Sequence, residues 1–97
     1  MIDWEKFLKT PNTSFHCETE EIAIEFLQIA HDLGYKWCDD DLYIDFNNWE
    51  MNRQYTCYDI NEGMSADFKR EVERGINVIN VKELLDGNYR PPFKLIR

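Results

Sequence analysis

The chain has 97 residues, 43% of them hydrophobic, with three Trp, five Tyr and six Phe. That length allows one compact domain with a single core, residues 1–97, and the aromatic content excludes a disordered chain. Net charge is −8 and uneven: residues 1–60 hold 13 acidic side chains against 4 basic ones, whereas residues 61–97 hold 6 against 7. Such a surface repels phosphate backbones and anionic lipids, so direct binding to nucleic acid or membrane is disfavoured. It favours basic partners, or proteins that themselves bind nucleic acid. No apolar run approaches the roughly 20 residues that span a bilayer. The opening MIDWEKFLKT lacks the pattern of a signal peptide, so a cytoplasmic location is expected. Cys17, Cys38 and Cys57 fit it, being odd in number and without a CxxC pair.

In chain order, Ile2 to Lys9 reads as a short helix with Trp4, Phe7 and Leu8 on its apolar edge, ended by Pro11 and Asn12. Ser14–Cys17 reads as a strand with Phe15 and Cys17 on one face and His16 on the other. A long amphipathic helix follows, with Thr19 as N-cap and Glu20 and Glu21 at its positive end. Ile22, Ala23, Phe26, Leu27, Ile29, Ala30 and Leu33 form its core-facing stripe, opposite Glu21, Glu25, Gln28 and Asp32. Gly34 supplies the left-handed C-terminal residue, after which Tyr35–Trp37 resumes an extended chain, an abrupt return into a strand.

Cys38 to Asp41 makes a turn with three carboxylates. Leu42–Phe46 alternates, which predicts a half-buried strand with Leu42, Ile44 and Phe46 inward. Asn47 to Arg53 is a polar loop carrying Trp49, and Gln54–Ile60 is the clearest strand by propensity. Asn61–Gly63 turns the chain, and Ser65 caps a second helix over Ala66–Arg74, with Phe68 and Val72 as its apolar pair and Gly75 closing it. Ile76–Val81 is a strand, followed by a turn of helix at Lys82–Asp86 and by Gly87. Residues 87–97, with Pro91 and Pro92, read as a loosely attached tail in which Phe93, Leu95 and Ile96 can dock. The order predicts an α+β, two-layer domain: a small mixed or antiparallel sheet of four strands packed by one long and one or two short helices.

Candidate chemistry is sparse. His16, Cys17, His31, Cys38 and Cys57 are zinc-ligand types, but the cysteines stand about twenty residues apart without paired spacing. Asp39–Asp41 with Asp45 lack the glycine and closing glutamate of a calcium loop. His16 and Cys17, as strand neighbours, point to opposite faces and form no nucleophile–base pair. No GxSxG, P-loop or GxGxxG is present. Neither an enzyme nor a metal or cofactor is expected. Trp37, Trp49, Tyr55 and Tyr58 suggest a stacking platform, but their neighbours are carboxylates rather than the cations of such sites. A ligand-sequestering pocket for a nucleotide or signal molecule would need Arg53 or Lys36 as its basic group. The stronger candidate is an acidic interaction face built from Glu21, Glu25, Asp32, Asp39, Asp40, Asp41, Asp45 and Glu50, with Trp37 and Trp49 as apolar anchors. The plainer reading of these acids is solubility alone.

The chain resembles a loose group of small proteins encoded by phages and prophages, mostly of Gram-positive bacteria. The likeness is carried by Trp4-Glu5-Lys6-Phe7, His16-Cys17, Thr19-Glu20-Glu21 with Ala23, Phe26-Leu27, Gly34-Tyr35-Lys36-Trp37, Trp49, Thr56-Cys57-Tyr58 and Gly75-Ile76-Asn77-Val78-Ile79. It covers residues 2–81 and departs at Asp39–Asp41, where a glycine often turns the chain, and in the tail. The matched positions are caps, core and turn residues, so the resemblance carries over no catalytic residue. It implies an accessory phage protein in the host cytoplasm, of the small acidic kind that often inhibits host nucleases or defence complexes. The expected partner is a host protein with a basic or nucleic-acid-binding surface, and a homodimer is compatible with the sequence.

Overall fold

A computed structural model describes residues 2–87. Among them five helices and four strands follow one another: α1 (Trp4–Lys9), β1 (Thr13–His16), α2 (Glu20–Asp32), α3 (Trp49–Asn52), β2 (Thr56–Asp59), β3 (Met64–Asp67), α4 (Phe68–Glu73), β4 (Asn77–Asn80) and α5 (Val81–Leu85). A single turn of 3-10 helix, Arg53–Tyr55, leads into β2. The strands form one mixed sheet in the order β3-β2-β1-β4, with β1 antiparallel to β2 and parallel to β4. This is a small α+β domain.

The long helix starts where its local chemistry dictates. Thr19 Oγ1 accepts the Ile22 amide at 3.2 Å, an interaction worth about 1 kcal/mol. At the other end Gly34 adopts φ +95°. The Gly34 amide bonds the His31 carbonyl at 2.9 Å and the Tyr35 amide bonds that of Ala30 at 3.0 Å, which satisfies carbonyls the helix leaves open. Between these ends Ala23, Phe26, Leu27 and Ala30 are buried, Ile22 and Ile29 are half-buried, and Leu33 is exposed.

That apolar side rests on a row of three cross-strand neighbours, Tyr58, Phe15 and Ile79. Phe26 sits over the row, its ring 5.1 Å from Phe15 and 6.2 Å from Tyr58, and Trp4 of α1 closes on it at 5.8 Å. Phe15, Phe26 and Tyr58, all fully buried, each contribute about 2 kcal/mol by removal of apolar surface from water, and Trp4 is partly buried. Strand alternation turns His16 to the opposite face, where its ring meets Phe68 of α4 at 4.8 Å. Its Nε2 donates to the Gln54 carbonyl at 2.7 Å. The short helix α4 therefore covers the side of the sheet away from α2.

Three local expectations are corrected. Tyr35–Trp37 forms no strand: the Trp37 amide bonds the Asp41 carbonyl and the Cys38 amide bonds Gly63, each at 3.0 Å. Residues 42–46 are a turn rather than a half-buried strand, and their inward residue is Tyr43 (1% exposed), while Ile44 and Phe46 stand 49% and 48% exposed. The Tyr43 ring meets Trp37 edge-on at 4.7 Å, and its hydroxyl donates to the Ile60 carbonyl at 3.4 Å. Ser65 does not cap a helix, because Met64–Asp67 pairs with β2 as an antiparallel strand. Asp67 is the cap, accepting the Lys69 and Arg70 amides at 2.8 and 3.3 Å. The most buried residue of α4 is Glu71, held at 3.1 Å by Arg74; Phe68 packs on His16, while Val72 is half-exposed. The predicted tail lies, from residue 88 on, outside the described residues.

Candidate functional site

Among the described residues, the longest stretch without regular secondary structure, residues 33–48, carries the run Asp39–Asp41 and Asp45. Three hydrogen bonds fix its course. Trp37 Nε1 donates to the Phe46 carbonyl at 3.1 Å, the Tyr58 hydroxyl donates to the Asn47 carbonyl at 2.6 Å, and Asn47 Nδ2 donates to Glu20 of α2 at 3.1 Å. Asn47 thereby pins the far end of the loop both to β2 and to the first turn of α2, and the Trp37–Phe46 bond closes the loop on itself. Burial raises the Tyr58 and Tyr43 hydroxyls well above the ordinary phenol range, so both remain neutral donors.

This course brings Asp39, Asp40, Asp41 and Asp45 together. The Asp41 carboxyl is raised, chiefly by the charge on Asp39, then by desolvation, a hydrogen bond with Asp39, and the charges of Asp45 and Asp40. Asp40 sits at φ +74°, and the Asp41 amide bonds Asp39 Oδ1 at 3.1 Å. The turn thus forces like charges into proximity rather than letting them spread.

The other proposed contacts lie round the helix or beyond it. Glu21, Glu25 and Asp32 are exposed on the outward side of α2, where Gln28 donates to Asp32 at 2.9 Å. Glu50 on α3 is exposed and faces Arg53 at 3.4 Å, which partly neutralises it. Trp37 is not an available anchor, being only 6% exposed and part of the core. Trp49 is half-buried against that core, its amide bonded to Asn47 Oδ1 at 2.9 Å.

Sequence reasoning missed the apolar part of the surface. Ile24 falls outside the stripe of α2 and stands 55% exposed, beside Ile44 and Phe46. These three line a shallow groove of about 220 Å³ with Leu27, Gln28 and Asp45. Phe46 also lines a second concavity, about 320 Å³, with Trp37, Cys38, Asp39, Gly63 and Met64. The off-stripe position of Ile24 was the available signal; the outward turn of Ile44 and Phe46 had none, because it follows from the burial of Tyr43.

Among the described residues no three His, Cys, Asp or Glu side chains converge as a metal site, and no helix is long and apolar enough to cross a membrane. Cys17 and Cys57 are buried, the first pushed up by desolvation and by Cys57, the second pushed up to about 12 chiefly by desolvation. Cys38 is exposed. No family model, no curated protein and no solved structure matches this chain.

Proposed function

We propose that the chain is a phage-type accessory protein that binds a host protein through this loop and the adjoining flank of α2, and inhibits it. The target chemistry is a basic, nucleic-acid-binding surface of a nuclease or defence complex, whose phosphate sites the carboxylates of Asp39, Asp40, Asp41 and Asp45 occupy in place of nucleic acid. The carrying observation is the combination of exposed Ile24, Ile44 and Phe46 with four clustered aspartates on one pinned loop. Acidic residues serving solubility alone do not require grouped apolar neighbours, whereas an interface has an apolar centre and a polar rim. Glu21, Glu25 and Asp32 extend the negative field along α2. The ligand-sequestering alternative has less support, since neither Lys36 nor Arg53 lines either concavity beside the loop.

The test is affinity capture from host lysate with the native chain and with the Asp39→Lys, Asp40→Lys, Asp41→Lys triple variant. The expected result is a retained, identifiable nucleic-acid-binding protein that duplex DNA or RNA displaces and that the variant fails to retain. Equal capture by the two chains, with the variant folded, removes this surface from consideration.

A further inference from the structure

A second surface, of different chemistry, lies at the outer edge of the sheet. Among the described residues β3 is the terminal strand on the side away from β4, and the ladder fixes which of its peptide groups face outward. The Cys17 amide donates to the Thr56 carbonyl at 3.0 Å, and Cys17 stands opposite Thr56 in the register that pairs Phe15 with Tyr58 and His16 with Cys57. Thr56 and Tyr58 therefore turn their peptide groups toward β1, while Cys57 and Asp59 turn theirs toward β3. Their partners Ala66 and Met64 face inward to β2, so Ser65 presents its N–H and C=O to the open edge.

A groove of about 410 Å³ follows that edge. It is lined by all four residues of β3, by Met51 and Asn52 of α3, and by Arg70 and Arg74 of α4. The segment entering α3 touches Tyr58 and Ser65 on the α2 side of the sheet, and α4 covers the other side, so the strand edge has a wall on each flank. Met51 is 75% and Met64 53% exposed. Arg70 forms no ion pair among the described residues, and the Arg74 side chain keeps 62% exposure while holding Glu71. Asp67, the acid on this strand, is engaged with the first amides of α4. Open edges are ordinarily blunted by proline, lysine or a covering segment; Met64–Asp67 contains neither residue.

We propose that this groove takes up an extended segment of a partner protein, which pairs with β3 as a fifth strand and alternates apolar side chains with carboxylates. Strand alternation sends one row of its side chains toward Met51 and the other toward Arg70 and Arg74. The walls recess the edge, which suits a single extended strand better than the equally recessed edge of another copy. The guest's acidity follows from the two arginines, and it distinguishes this partner from the basic one that the aspartate loop fits.

The experiment titrates the isotope-labelled, folded chain with an end-capped hexapeptide alternating valine and glutamate, and with its valine–lysine counterpart. Amide shifts are expected at Met51, at Met64–Asp67 and at Arg70 with the glutamate peptide alone. Ser65→Pro removes the outward N–H and spares the bonds to β2, and is expected to weaken binding about tenfold or more. Arg70→Glu, an exposed change that tests the charge separately, is expected to abolish binding of the glutamate peptide and admit the lysine one. Absence of shifts, shifts centred on residues 39–46, or unaltered binding by either folded variant overturns the proposal. Concentration-dependent dimerisation of the peptide-free chain that Ser65→Pro abolishes also overturns it, by assigning the edge to a second copy.

Discussion

The Gly63 carbonyl accepts the Cys38 amide at 3.0 Å, and the two backbones touch so closely that a Cβ on Gly63 would stand 2.8 Å from the carbonyl carbon of Trp37. Gly63 also adopts φ +69°, where side chains are strained. This contact clamps the start of the acidic loop to the β2–β3 turn. Gly63→Ala combines backbone strain with overpacking and is expected to cost about 3 kcal/mol. A urea titration reads that loss as a lower midpoint with an unchanged slope; a midpoint equal to the native one would mean the clamp yields freely.

Tyr43 offers a second check on how the loop is held. Tyr43→Ala empties a core position and is expected to lose about 3–4 kcal/mol, whereas Tyr43→Phe removes one long hydrogen bond and loses about 0.5–1 kcal/mol. Ile44→Ala, at the neighbouring exposed position, is expected to stay within about 0.5–1 kcal/mol. The reverse ranking of positions 43 and 44 would restore the strand that the alternating sequence predicts.

Stability is expected to respond to acid in an unusual direction. Asp41 is raised by its aspartate neighbours, Asp39 first, and Asp59 is raised by desolvation and by the charges of Glu62 and Glu71, against the Glu62 amide and Arg74. For both, the folded state binds its proton more tightly than the unfolded chain. Stability therefore rises as pH falls from neutral into the range just above the ordinary aspartate value of 3.8, and the gain levels off below it. The urea midpoint should increase from pH 7 to mildly acidic pH, and Asp41→Asn should flatten the increase. A midpoint that falls over this interval contradicts the crowding of the four aspartates.

Phe46 separates folding from binding. Its carbonyl accepts the Trp37 Nε1 hydrogen bond whatever the side chain, and its ring, 6.2 Å from that of Trp37, is half-exposed. Phe46→Ala is expected to change stability by less than about 1 kcal/mol and to weaken partner binding about thirtyfold, the scale of an interface hot spot. Calorimetry with the captured partner, beside thermal melting of the free variant, measures both.

The legible parts of the fold were those decided within a few residues. The Thr19 cap, the stripe through Ala23, Phe26, Leu27 and Ala30, and the Gly34 terminus follow from helical period and end chemistry, and the structure places them as the sequence predicts. Positions 42–46 depart from their alternating pattern because alternation alone establishes neither a strand nor which row faces inward. A distant pair of groups, the Trp37 ring and the Ile60 carbonyl, favours Tyr43 over its aliphatic neighbours. Ser65 and Asp67 are both competent caps; cross-strand pairing with β2 takes Ser65 into the sheet and leaves the role to Asp67. The aspartates were visible from the start, but their crowding depends on the left-handed turn at Asp40. The outward turn of Ile44 and Phe46 becomes visible only with the loop's path, whereas Ile24 is marked by its place off the stripe of α2.

The placement of the three thiols has a practical consequence. Two are sealed among core side chains and ionise poorly, so a maleimide dye applied to the native protein should attach at Cys38 alone. That atom lines the same hollow as Asp39, Phe46, Met64 and Ser65, between the aspartate loop and the free strand edge. One fluorophore there would sense an arrival at either surface by a change in its emission, without any engineered cysteine.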